Sequence, residues 1–139
     1  MNFNIFGNVK LRKRLYGKER IHIELIICNR DEKESALIEK YIYEYCKNKK
    51  IAICIQCCKD WQELRELLKK EDPDVVIIAQ NGVEGLDTIT GMKIISGKLI
   101  WFSDLDFGLQ AYRLCVSYFN MKPISYDKMA YALDYVNLD

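Results

Sequence analysis

The sequence is most informative at residues 74–79, which read DVVIIA and carry a single charged side chain. A short run this apolar is typical of a central strand in a parallel sheet, because such a strand is buried on both of its faces. Pro73 directly precedes the run and ends any helix that approaches it. We therefore predict a parallel sheet with residues 74–79 near its centre.

Strand-like and helix-like patterns alternate on both sides of this run. The predicted strands are 21–28, 51–57, 74–79, 98–103 and 116–120. The predicted helices are 31–47, about 59–72, 84–96, 106–114 and 125–137. Five such alternations predict an α/β fold, a three-layer (βα)5 doubly wound parallel sheet with helices on both faces. Ligands of such sheets bind at the carboxyl ends of the strands, so those ends are where chemistry is expected.

Length and composition fit one globular domain. The chain has 139 residues, a mass of 16.4 kDa, 50% apolar residues and 29% charged residues, which excludes overall disorder. No apolar run approaches the roughly 18 residues of a membrane span. The N-terminus has no apolar core of a signal peptide, so we expect a cytoplasmic protein that does not contact membranes.

The overall net charge of +1 hides an uneven distribution. Residues 1–20 hold six basic side chains and one acidic one, whereas the other 15 bases and 19 acids sum to −4. We therefore divide the chain into a basic N-terminal extension, 1–20, and a body, 21–139. The extension is either a site for nucleic acid or an acidic partner, or simply a solvated arm.

The six cysteines do not predict a disulfide scaffold or a metal site. Cys54 and Cys57 form a CxxC pair, but they lie in a predicted strand, where residues three apart face opposite ways. His22 is the only histidine, so no metal-binding set is expected. The tyrosines at helical spacing are expected to be core or half-core residues, namely Tyr41, Tyr45, Tyr112 and Tyr131.

Signatures of enzymes and cofactors are missing from the strand ends. The segment NRDEKE after the first strand has neither the glycine nor the hydroxyls of a flavin phosphate loop. Gly82 and Gly85 lack the spacing of a nucleotide-binding loop, and no G-x-S-x-G segment is present. We therefore expect no cofactor and no enzymatic activity.

Three segments carry a family resemblance. They are Ile27-Cys28-Asn29-Arg30-Asp31-Glu32, then Asp74-Val75-Val76-Ile77-Ile78, and the stretch from Ser103 to Lys122-Pro123-Ile124, which contains Phe107, Leu109, Ala111 and Tyr112. Together they make residues 21–137 resemble the receiver domain of bacterial response regulators. The resemblance is closest to receivers that precede LytTR-type DNA-binding domains.

The resemblance implies a known chemistry that this sequence only partly retains. Receivers accept a phosphoryl group on an Asp after the third strand, with two acids after the first strand holding Mg²⁺. A Lys before a cis-Pro and a Ser or Thr after the fourth strand complete the pocket. Here Lys122, Ser103 and the switch aromatic, Phe119, are present.

The other pocket positions are changed. Ala79 stands at the phosphoacceptor position, and Asn29 and Arg30 replace the acid pair. Alanine has no nucleophilic atom, and an arginine opposes a metal cation. The segment from residue 79 to 103 is also about four residues shorter than the family's usual length. The resemblance thus implies a pseudo-receiver with a vestigial phosphorylation pocket.

Charge in that pocket raises a further expectation. Arg30 and Lys122 would face a site without its usual acids, which is costly when they are partly desolvated. By loop position the nearest carboxylates are Asp31, Glu84 and Asp104. We expect one of these carboxylates to pair with a cation. The alternatives are that an anion such as sulfate or phosphate binds in the pocket, or that the two cationic side chains point into solvent.

The resemblance implies a signalling module that acts by protein contact, without phosphorylation. A partner or a second copy would bind the face of the fourth helix, fifth strand and last helix. The expected interface residues are Gln110, Arg113, Tyr118, Asn120, Tyr126 and Tyr135. The main alternative is the receiver part of a LytTR-type transcriptional regulator, which would contact DNA through residues 1–20 or through a further domain. A small redox or flavin protein is the less favoured alternative.

Overall fold

The computed structural model of the chain describes residues 2–4, 12–13, 19–20, 22–92 and 97–138. Eight strands and five helices lie in these ranges. In chain order they are β1 (Asn2–Asn4), β2 (Arg12–Lys13), β3 (Glu19–Arg20), β4 (Ile23–Cys28), α1 (Glu32–Lys49), β5 (Ile53–Cys58), α2 (Trp61–Lys70), β6 (Val75–Ile78), α3 (Gly82–Gly91), β7 (Lys98–Ser103), α4 (Gly108–Arg113), β8 (Tyr118–Met121) and α5 (Tyr126–Tyr135).

The main sheet confirms the predicted α/β fold. Its order is β1-β5-β4-β6-β7-β8. The five strands β4 to β8 are all parallel to one another. The four residues of β6 are each at most 1% exposed, as its apolar sequence predicted. One apolar cluster lies between the sheet and α1 and α5, and a second contains residues of α2, α3 and α4. The sheet is therefore covered on both faces.

A strand that the sequence did not predict extends the sheet. Residues 2–4 form β1, which pairs antiparallel with β5 and places Phe3 opposite Cys54. Three residues are too few to show the alternation from which strands are predicted. Part of the predicted N-terminal extension thus joins the sheet. Its cations at Arg12, Lys13 and Arg20 lie in the two-stranded β2–β3 sheet, and Lys10, Arg14 and Lys18 fall outside the described residues.

The helices begin where polar side chains cap them. Asp31 accepts hydrogen bonds from the first turn of α1, Asp60 from that of α2, and Ser125 from that of α5. Such caps satisfy amide groups that have no partner inside the helix. Helix α3 ends at Gly91 rather than at 96, and residues 93–96 lie outside the described part. No helix among the described residues is long and apolar enough to cross a membrane.

The expectation that four tyrosines belong to the core is correct for two of them. Tyr45 is buried and Tyr41 is half-buried, but Tyr112 and Tyr131 are 83% and 62% exposed. The reason is the narrow buried face of each short helix. Ala111 is the only fully buried residue of α4, and α5 is buried along a stripe that excludes position 131.

Candidate functional site

The candidate site lies at the carboxyl edge of the parallel strands, where the polar residues singled out in the sequence meet. Strand pairing brings the ends of β4 and β6 together, and the Ala79 amide donates to the Cys28 carbonyl at 2.9 Å. On the other side of β6, the Lys122 amide donates to the Ser103 carbonyl at 2.8 Å. The Lys122–Pro123 peptide bond is cis.

The ammonium group of Lys122 is the centre of the site. Its Nζ donates to the Ala79 carbonyl at 2.6 Å, to Asn81 Oδ1 at 2.7 Å and to the Glu34 carboxylate. A lysine ammonium has three N–H donors, so each of them has an acceptor within the chain. The side chain of Lys122 is only 9% exposed and that of Glu34 is 22% exposed. Salt therefore screens this ion pair far less than a surface pair.

Glu34 is the residue that sequence reasoning missed. It lies in the first turn of α1, where the helix dipole favours a carboxylate, and it also accepts from Asn29 Nδ2 at 2.7 Å. With Asp31 at the cap, Glu34 has the spacing of a capping box, which would direct it to the Asp31 amide. Asn29 Oδ1 accepts from that amide instead, at 3.2 Å. The carboxylate of Glu34 is thereby available to Lys122.

Arg30 and Glu84 form a second, outer ion pair. The shortest of its contacts joins Arg30 Nη2 and Glu84 Oε2 at 2.5 Å, and Arg30 Nε lies 3.0 Å from the same oxygen. These hydrogen bonds raise the pKa of the Arg30 guanidinium. Glu84 is one of the three carboxylates expected near the cations. The other two bind the first residues of helices. Asp31 caps α1, and Asp104 accepts a hydrogen bond at 2.7 Å from the backbone amide of Gly82, where α3 begins.

The pocket does not fit the Mg²⁺ ion that the family resemblance implies. Magnesium prefers several hard oxygen ligands with negative charge. Here the Asn29 amide nitrogen points at Glu34, Arg30 is a cation, and the one carboxylate of the inner site already pairs with Lys122. Among the described residues, no group of three or more His, Cys, Asp or Glu side chains is arranged to hold a metal ion.

Ser103 and Phe119, to which the resemblance gives a switching role, lie in different surroundings. Ser103 is fully buried and its Oγ accepts from the Leu105 amide at 3.1 Å. Phe119 meets Trp101 edge-on with ring centroids 5.1 Å apart, and Trp101 stacks on Phe107 at 5.4 Å. Trp101 is itself fully buried, so the position of Phe119 is fixed by the core on that side.

The predicted interface residues fall into two groups. Gln110, Arg113 and Tyr135 are exposed, whereas Tyr118, Asn120 and Tyr126 are half-buried. The ring of Tyr126 turns toward α1 and meets Tyr41 edge-on at 6.2 Å. The face has further exposed apolar side chains that the prediction omitted, namely Leu109, Tyr112 and Tyr131.

The cysteines of the CxxC pair lie on opposite faces of β5, as expected. Ile53 and Ile55 belong to the apolar cluster next to α1, whereas Cys58 belongs to the cluster next to α2. Strand alternation therefore places Cys57 with the first group and Cys54 with the second. Cys57 is exposed, but partial desolvation of its thiol, and then the nearby Glu39 carboxylate, raise its pKa to about 12.

Comparisons with known proteins give the class of fold. No known protein family matches the sequence, and no curated protein is recognisably similar to it. Solved structures do match, and the chain has the CheY-like fold of response-regulator receiver domains. It is similar to the chemotaxis response regulator CheY4 of Vibrio cholerae, with a TM-score of 0.67, 10% identity and coverage of 83% of this chain and 98% of that one.

Two further structures show the same fold. A two-component response regulator from Cytophaga hutchinsonii has a TM-score of 0.64 and 17% identity, with coverage of 85% and 99% of the two chains. A co-crystal of the Saccharomyces cerevisiae histidine phosphotransfer protein Ypd1 with the receiver domain of Ssk1 matches with a TM-score of 0.63 and 9% identity. The match covers 84% of this chain and 90% of that one. Identities this low indicate a shared fold and nothing beyond it.

Proposed function

We propose that this chain is a receiver-like signalling module that acts by binding proteins and does not depend on phosphorylation. The observation that carries the proposal is the ammonium of Lys122, which is held by Glu34, Asn81 and the Ala79 carbonyl. In the receiver family a phosphoryl group is the anion for this lysine. Here a carboxylate of the chain itself is that anion, and the methyl side chain of Ala79 has no oxygen to accept a phosphoryl group.

Phosphorylation with acetyl phosphate tests the proposal. The full chain is incubated with acetyl phosphate and Mg²⁺ beside an active receiver as the reagent control, and intact masses are measured. We expect a phosphate adduct on the control and none on this chain. A Mg²⁺-dependent, acid-labile adduct on this chain would contradict the proposal and would direct attention to Asp31 or Asp104 as the acceptor.

We propose that the protein contact uses the surface formed by α4, β8 and α5. This surface exposes Leu109, Tyr112, Tyr131 and Tyr135, which are between 58% and 83% exposed. Tyr118 supports two of these rings from beneath, with centroids 5.8 Å from Tyr131 and 5.5 Å from Tyr135. Aromatic side chains on a supported surface are typical of interface centres. A second copy of the chain is the partner we expect.

Light scattering tests the dimer. At high micromolar concentration we expect a dimer for the native chain and a monomer for Leu109→Glu and for Tyr135→Glu. The matched control is Leu37→Glu, which adds the same charge at an exposed leucine of α1, outside the surface. A stable dimer needs about 1,000 Å² or more of buried area. A native chain that stays monomeric would contradict this part of the proposal.

A second candidate function is DNA binding through the basic extension. Its support is the concentration of positive charge in residues 1–20, together with the pairing of β2 and β3, which sets Arg12 opposite Arg20. A variant in which all six basic residues of 1–20 are changed to glutamine leaves the sequence of β1 unaltered. If the extension binds DNA, this variant loses retention on a DNA column that the native chain shows at low salt.

A further inference from the structure

Two cysteines that are far apart in sequence end neighbouring strands side by side. Cys28 is the last residue of β4, Cys58 is the last residue of β5, and the two are directly paired in the parallel register. Adjacent strands lie about 4.8 Å apart, which is within the roughly 4.4–6.8 Å that separates the Cα atoms of a disulfide. Both cysteines are free, and both belong to the apolar cluster next to α2.

The two thiols differ in their access to small molecules. Cys28 is fully buried and Cys58 is 7% exposed. Cys58 lines a groove of about 610 Å³ beside α2, together with Lys59 and Leu67. Of the two paired thiols, Cys58 is therefore the one that a hydroperoxide in this groove would meet first, with Cys28 beside it on the neighbouring strand.

We propose that Cys28 and Cys58 form a reversible disulfide when the protein meets a hydroperoxide. In the first step the Cys58 sulfur attacks the peroxide, the O–O bond breaks, and Cys58 becomes a sulfenic acid while water or an alcohol leaves. In the second step the Cys28 sulfur attacks the Cys58 sulfur and the S–O bond breaks, which releases water. The two thiols lose two electrons, the hydroperoxide gains them, and both thiol protons leave in the products.

The position of the pair links this oxidation to the candidate site. The Cys58 carbonyl accepts from the Asn29 amide at 3.0 Å, and Asn29 in turn donates to Glu34. A disulfide would tie the end of β5 to the end of β4, which Asn29 and Arg30 directly follow. The chemistry needs no phosphoryl acceptor, so it stands or fails independently of the proposed function.

The environment of the pair predicts a slow, pH-dependent reaction. Two causes raise the pKa of Cys58: chiefly a hydrogen bond with Cys28, and secondly the burial of the thiol. The reactive form is the thiolate, so little of it is present at neutral pH. We therefore expect disulfide formation to be faster at pH 9 than at pH 7.

Peptide mass spectrometry tests the proposal. The reduced full chain is treated with hydrogen peroxide, remaining thiols are blocked with N-ethylmaleimide in denaturant, and the digest is searched for linked peptides. We expect a Cys28–Cys58 peptide that dithiothreitol removes. Cys28→Ser and Cys58→Ser should each abolish it, whereas the matched changes Cys57→Ser and Cys115→Ser, at the two exposed cysteines, should leave it.

A parallel sample oxidised in denaturant shows whether the folded register selects the pair. The proposal requires Cys28–Cys58 to dominate in the folded chain and to be one of many pairings in the unfolded chain. It is overturned if the folded chain gives no linked peptide, or if peroxide adds oxygen only to Cys57 and Cys115.

Discussion

The ion pair between Lys122 and Glu34 offers the sharpest test of the site, through a double-mutant cycle. In Lys122→Met, the Glu34 carboxylate keeps only its hydrogen bond from Asn29, and the acceptors on Ala79 and Asn81 lose a donor. Breaking a fully buried pair costs about 3–5 kcal/mol. Glu34 is 22% exposed and partly solvated, so we expect a loss of about 2–3 kcal/mol in the free energy of unfolding.

The neutral variant Glu34→Gln should cost less, because its amide oxygen can still accept from Lys122. A loss of about 1–2 kcal/mol is expected, since a hydrogen bond to a charged group is worth more than a neutral one. The double variant should be more stable than the sum of the single losses predicts. We expect a coupling energy of about 1–2 kcal/mol, which is typical of groups in direct contact.

Urea unfolding at neutral pH measures all four proteins of the cycle. The matched control is the same cycle on Arg30 and Glu84, whose side chains are 56% and 40% exposed. Solvent and salt screen such a pair, so its coupling should be much smaller and should shrink further in added salt. The reasoning is refuted if the two cycles give equal coupling energies, or if the inner coupling vanishes in added salt.

Two further changes test the core around the site. Gly85→Ala should lower the free energy of unfolding by about 2 kcal/mol or more, because a Cβ there would lie 2.5 Å from the Gln80 carbonyl oxygen. Gly91→Ala is the control and should be close to neutral, because its Cβ would meet only the Trp61 ring, at 3.3 Å. Thermal unfolding measures both, and equal losses of stability would contradict the clash at Gly85. Burial raises the pKa of Cys46 from 9.0 to about 12, so the folded state favours the protonated thiol. The stability that this preference contributes is fully present below pH 9 and is lost as the pH rises from 9 to 12. In urea unfolding between pH 9 and 10.5, Cys46→Ala should therefore lose stability less steeply with pH than the native chain, and identical slopes would count against burial as the cause.

Local patterns were enough to predict the frame of this fold. The five parallel strands and their helices follow from apolar runs such as 74–79, whose physical causes lie within a few residues. The same patterns could not reveal β1, because three residues carry no period. They also misplaced Tyr112 and Tyr131, because a short helix packs too few residues for its stripe to fix which side is buried.

The candidate site was predictable only in part, because its decisive contact is long-range. Position within loops indicates that Arg30 and Lys122 need an anion, and it places Glu84 among the nearest carboxylates. It gives no such indication for Glu34, which lies 88 residues from Lys122 and inside the first turn of a helix. Its spacing from Asp31 suggested a local role in capping. The competition by Asn29 for the Asp31 amide becomes visible only when the chain is folded.

The three acceptors around Lys122 have a consequence for how information could pass through this chain. A switch needs two states close enough in free energy for an input to change their populations. In the proposed function, the ammonium of Lys122 has three acceptors supplied by the chain itself, and this one favoured arrangement would depend on neither a kinase nor a phosphatase. A phosphorylation-independent module of this kind would signal from the reduced state through the number of its copies in the cell. Synthesis and degradation of the chain would then set the signal, on the timescale of protein turnover rather than that of phosphoryl transfer.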